Sequence, residues 1–138
     1  MKIKLFCIPY SGSSSAFYYH WKKYMPGNIS IIPIELAGKG LRHDEPNYES
    51  FEQMVDDVYG IIKKYIDDSP VAFFGHSIGA LILYELCYRY NLDYIKPKKM
   101  IFSGASVPHL YKIRIYISYR MKIFLNILFL WEVFHKNY

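Results

Sequence analysis

The chain has 138 residues, 52% apolar and 21% charged, which is one globular domain at most, with enough apolar side chains for a core. Its net charge of +5 is unevenly placed, with 12 Lys and Arg against 11 Asp and Glu up to Leu110, then 5 against 1 from Tyr111; the body has no basic face for a nucleic acid. Cys7 and Cys87 have neither disulfide nor metal spacing, no stretch approaches the roughly 20 apolar residues of a membrane span, and the first apolar run is too short for a signal peptide. These features point to a cytoplasmic protein.

Strand and helix signals alternate along the body. Residues 2–8 read as a strand, followed by the small-residue loop Pro9-Tyr10-Ser11-Gly12-Ser13-Ser14-Ser15. Residues 16–25 read as a helix capped by Ser14 or Ser15, and residues 29–34 as a second strand. A loop rich in Gly, Pro and charge, residues 37–47, precedes a helix over about 50–67. Ser50 and Gln53 fit a capping box there, and Phe51, Met54, Val55, Val58, Ile61, Ile62 and Tyr65 form one apolar stripe. Residues 71–74 read as the third strand, 78–90 as a helix and 100–103 as a fourth strand. Repeated βαβ units with short apolar strands imply a parallel sheet covered on both faces by helices.

The most informative segment joins the third strand to its helix: Phe73-Phe74-Gly75-His76-Ser77-Ile78-Gly79-Ala80. Strand, Gly-x-Ser-x-Gly, helix is the setting of a nucleophile elbow, in which glycines permit a sharp turn that lifts the serine above the sheet. There Ser77 sits at a helix N-terminus, which favours the negative charge of acyl transfer. A tight turn that merely contains serine is the competing explanation. An oxyanion hole in such a site takes one backbone N–H from the residue after the nucleophile, Ile78, and one from the loop after an early strand. The loop 9–15 occupies that place, although an ordinary helix-capping turn would look similar.

Four segments then carry a resemblance. Phe6-Cys7-Ile8-Pro9-Tyr10-Ser11-Gly12-Ser13-Ser14, Pro33-Ile34-Glu35-Leu36-Ala37-Gly38-Lys39-Gly40-Leu41-Arg42, Glu45-Pro46 and the elbow fall in the order and spacing of type II thioesterases. Ser103-Gly104-Ala105-Ser106-Val107-Pro108-His109 resembles the stretch after their next strand. These are α/β-hydrolases that stand alone beside nonribosomal peptide and polyketide synthases. The resemblance, over about residues 3–109, implies a partial α/β-hydrolase fold: a mostly parallel sheet of about four strands with flanking helices, without the last strands and lid. It implies that Ser77 is the nucleophile and that the N–H groups of Ile78 and Ser11 are the oxyanion donors. The implied substrate is an acyl group carried on the phosphopantetheine of an acyl or peptidyl carrier protein, and no cofactor or metal of the enzyme's own is implied.

Two departures matter. Ser11-Gly12-Ser13 stands where the family usually has Ala-Gly-Gly. The triad Asp and His of the longer family members follow later strands, and no acidic residue lies between Asp93 and Glu132 here. His20 and His43 precede the serine, His76 adjoins it as a packing or hydrogen-bonding residue, and Asp93 follows the elbow helix at the wrong end of the sheet. His109 follows the fourth strand on the elbow's side, but the matching family position is not the catalytic base.

All 8 Gly and 7 Pro lie at or before Pro108, and the remaining residues have no clean period. Residues 1–110 are therefore read as the N-terminal portion of an α/β-hydrolase thioesterase domain, and 111–138 as an aberrant hydrophobic, basic tail. The expectation is a C-terminally truncated thioesterase with an out-of-frame tail, impaired by the missing Asp and His. Translating the other two frames past His109 tests this, and finding no thioesterase-like sequence there overturns the frameshift. The alternatives are a non-catalytic fragment that binds a carrier protein, and a general α/β-hydrolase esterase. An acyltransferase fits poorly, because it has no reason for the early Pro-Tyr-Ser-Gly loop.

Overall fold

The computed structural model describes residues 2–105, apart from the Asp93 side chain. Positions 106–138 lie outside the described residues, and with them His109, Glu132, His135 and the predicted boundary at 110. Four strands form one sheet: β1 (Ile3–Ile8), β2 (Ile29–Pro33), β3 (Val71–His76) and β4 (Lys99–Ser103). Their order is β2-β1-β3-β4, and every pair is parallel. Among the described residues no helix is long and apolar enough to cross a membrane.

Alternation along the strands sends successive side chains to opposite faces. Phe6, Ile8, Val71 and Phe73 enter one core; Leu5, Cys7, Ala72 and Ile31 enter the other. The first core is covered by α2 (Phe51–Tyr65) and α3 (Ile78–Tyr90), and the second by α1 (Ala16–Tyr19) with the 3₁₀ turn His20–Lys23. Both faces are thus dry, as an all-parallel sheet requires. Cys7 is fully buried, and burial pushes its thiol up to about 12.

The capping box before α2 forms with one change. The Gln53 N–H donates to Ser50 Oγ at 3.1 Å, while Gln53 Oε1 accepts from the Glu49 N–H at 2.7 Å, one residue earlier than the usual partner. Of the apolar stripe, Val55, Val58 and Ile62 are fully buried, and Tyr65 at its end is half exposed. The helix expected over 16–25 is shorter: one α-turn passes into a 3₁₀ turn. Tyr18 of the α-turn and Trp21 of the 3₁₀ turn both pack edge-on against the same ring, Phe74, at 5.9 and 4.9 Å. Neither serine makes an ordinary side-chain cap. Ser14 Oγ accepts a long bond from the Ala16 N–H at 3.3 Å, and Ser15 turns to Glu35.

The strand order places the functional end. β2 lies on one side of β1 and β3 on the other, so the chain reverses direction across the sheet between β1 and β3. In open α/β sheets ligands bind in the crevice beyond the carboxyl ends of strands at such a switch point. The loop after β1 and the turn after β3 meet there.

Candidate active site

Ser77 lies between the last residue of β3 and the first of α3, with φ 53° and ψ −118°. A non-glycine residue in so sparse a region costs about 1–3 kcal/mol and persists only where its surroundings enforce it. Several contacts do so. The Ser77 N–H donates to the Ser103 carbonyl at 2.8 Å, tying the turn to β4. A Cβ on Gly75 would sit 2.3 Å from the Gly79 carbonyl oxygen, and one on Gly79 would sit 2.3 Å from that of Ile8. These two glycines let α3 start hard against the end of β1. His76 Nδ1 is 3.1 Å from Ser103 Oγ, and its ring meets Tyr10 edge-on at 5.6 Å. It is a packing and hydrogen-bonding residue, as the sequence suggested.

Ser11 and Ile78 line one cavity of about 140 Å³ beside the turn. Ile78 opens α3, so its N–H has no acceptor within the helix. The Ser11 N–H makes no hydrogen bond among the described residues. Two residues from separate elements, each with a backbone N–H that makes no hydrogen bond among the described residues, therefore line the same space. That arrangement suits a developing oxyanion.

Two side-chain networks missed by sequence reasoning hold the cavity walls. Glu35, just past β2, accepts the Ser15 N–H at 2.9 Å, the Ser15 hydroxyl at 2.7 Å and the Leu41 N–H at 3.2 Å. It thereby fastens the loop after β1 to the loop after β2. Arg42 donates to the Glu35 carbonyl at 2.9 Å, to Glu45 at 2.8 and 2.5 Å, and to Asp57 of α2 at 2.7 and 3.2 Å. Tyr48 adds a bond to Asp57 at 2.5 Å and accepts the Ala37 N–H at 2.8 Å. Burial pushes the Asp57 carboxyl up, but the bonds from Arg42 and Tyr48 outweigh it and hold the group below the ordinary carboxylate range. A single acidic residue in the apolar run Ile34-Glu35-Leu36 was the one signal of the first network.

No base is hydrogen-bonded to the serine among the described residues. Among the described residues Ser77 Oγ has no hydrogen-bond partner. His20 and His43 are exposed, and His43 faces Asp44 at 3.1 Å. His109 lies outside the described residues. Among those described, no cluster of His, Cys, Asp or Glu could hold a metal ion.

A serine on a strained strand-to-helix turn, at the switch point of a parallel sheet, defines the α/β-hydrolase class. Within that class the thioesterase domain family matches residues 3–114, and the chain belongs to this family. It is 36% identical over 110 residues to linear gramicidin dehydrogenase LgrE of Brevibacillus parabrevis, covering 79% of this chain and 41% of that protein. Its identity to the gramicidin S biosynthesis protein GrsT of Aneurinibacillus migulanus is 34% over 110 residues, covering 79% and 43%. Its fold superposes on ClbQ from the colibactin NRPS/PKS pathway with a TM-score of 0.70 at 29% identity, covering 92% of this chain and 64% of ClbQ. The chain spans about two fifths of the length of these curated relatives.

Proposed function

We propose that the chain carries the nucleophile half of an acyl-thioester hydrolase. Its substrates would be acyl groups held on the phosphopantetheine arm of a carrier protein in nonribosomal peptide or polyketide synthesis. Ser77 Oγ attacks the thioester carbonyl, the N–H groups of Ile78 and Ser11 receive the oxyanion, and the C–S bond breaks as pantetheine leaves as its thiol, the serine proton passing to the sulfur through water. Water then releases the acyl group from the serine. The observation that carries this reading is the strained Ser77 backbone, held by Gly75, Gly79 and Ser103 beside the cavity that Ser11 and Ile78 line. Family membership supports the thioester class, and the biosynthetic names of its relatives support the carrier-bound substrate. The dehydrogenase in one relative's name finds no counterpart, because the sequence has no Gly-x-Gly-x-x-Gly loop.

The reading includes slow chemistry. A serine without a base is a weak nucleophile, and loss of triad members costs on the order of 10⁴–10⁶-fold. The test is mass-spectrometric detection of a fluorophosphonate adduct on the folded chain, beside Ser77→Ala. We expect a slowly forming adduct on Ser77 that the variant lacks. An adduct that survives in Ser77→Ala overturns the assignment, whereas an unmodified Ser77 in folded protein means that the elbow stands without its chemistry. Hydrolysis of an acyl-pantetheine thioester at the rate of an intact serine hydrolase would overturn the impairment instead.

A further inference from the structure

The cavity beside the elbow has a feature that acyl transfer does not use. Lys39 lines it together with Ser11 and Ile78. It is half buried, and among the described residues it makes no ion pair. Its neighbours fix its position. Gly38 has φ +73° and Gly40 has φ +44°; a Cβ on the first would lie 2.2 Å from Asn47 Oδ1, and a Cβ on the second 2.2 Å from Glu35 Oε2. Lys39 is therefore presented at the tip of a turn whose flanks are filled by polar side chains. Nearby carboxylates are already engaged. Glu35 accepts three donors, and Glu45 is taken by Arg42.

A half-buried lysine that makes no ion pair among the described residues, on the wall of a partly apolar cavity, attracts an anion from the ligand. Leu36, Ala37 and Met54 supply the apolar part of the cavity wall. We infer that the site prefers acyl groups ending in a carboxylate, such as succinyl or malonyl half-thioesters, with Lys39 as the carboxylate's partner. The inference rests on Ser11 and Ile78 marking the thioester end of the cavity. A pantetheine phosphate would offer Lys39 similar chemistry from a different part of the substrate.

The test uses the full chain and pantetheine analogues in which methylene replaces the thioester sulfur, so that binding is read without hydrolysis. Calorimetry would compare succinyl, succinamyl and butyryl analogues, and the butyryl analogue with its 4′-phosphate, on wild type, Lys39→Gln and Lys39→Met. We expect the succinyl analogue to bind wild type about tenfold tighter than the neutral succinamyl one, as a charge-assisted hydrogen bond provides. Both variants should lose that preference while binding the butyryl analogue unchanged, and added salt should shrink it in wild type. Equal affinity for succinyl and succinamyl, with butyryl still bound, overturns the inference and leaves the thioesterase reading standing. A Lys39-dependent gain from the phosphate alone also overturns it. Failure of every analogue to bind folded protein overturns both.

Discussion

Gly79→Ala should destabilise the chain by on the order of 3 kcal/mol, near the top of the range for overpacked sites. An added Cβ would meet three backbone atoms at once: the Ile8 carbonyl oxygen at 2.3 Å, the Pro9 oxygen at 2.8 Å and the Ile8 carbonyl carbon at 2.9 Å. Backbone cannot rotate away as a side chain can, so either α3 retreats from the end of β1 or the strand bends. Each response moves Ile78 relative to Ser11 and disturbs the cavity they share. Gly60→Ala is the control, with the same added methyl and the opposite sign. Gly60 lies inside α2, and nothing is within 4 Å of its Cβ position. Alanine there should stabilise by about 0.5–1 kcal/mol through its better helix propensity. Urea melts of the three proteins read both effects. A Gly79→Ala loss below that of an ordinary surface change would mean that the α3–β1 contact is looser than described.

Arg42→Ala should cost on the order of 2 kcal/mol, because it removes five hydrogen bonds and leaves Asp57 partly buried without its cation. The pair is partly exposed, with side-chain exposures of 21% and 28%, so solvent screening holds the loss below that of a fully buried pair. The effect should also depend on pH. Asp57 is held below the ordinary carboxylate range in the folded protein. A depressed folded value stabilises fully above the unfolded value of about 3.9 and is lost as pH falls through the folded one. Wild type and Arg42→Ala should therefore differ most near neutrality and converge below about pH 4. Urea melts at several pH values check this, and a difference that does not change with pH would mean that Asp57 contributes nothing through its charge. Because Arg42 also ties the loop after β2 to α2, the variant should loosen the cavity wall that carries Lys39.

Much of the architecture was legible because its signals are local. The short apolar strands, the Ser50–Gln53 cap and the apolar stripe of α2 each depend on residues a few positions apart, and each appears in the structure. Gly75-His76-Ser77-Ile78-Gly79 announced its turn in the same way, since two glycines and a strand-to-helix change leave the backbone few alternatives. The 16–25 segment was legible only in part. Its local signals favoured a continuous helix, but the segment passes into a 3₁₀ turn where Tyr18 and Trp21 pack on Phe74, more than fifty residues away in the chain.

The sequence by itself determined the parallel α/β class, the elbow and its serine, because each is written in short-range spacing. Tertiary structure alone decided which loops share the cavity with Ile78, that Glu35 fastens two of them, and that Arg42 is committed to Asp57 while Lys39 is not. Those outcomes depend on strand order, which sets β2, β1 and β3 side by side and brings residues 11, 39 and 78 around one space. No local spacing encodes that neighbourhood, because it exists only once the sheet has formed.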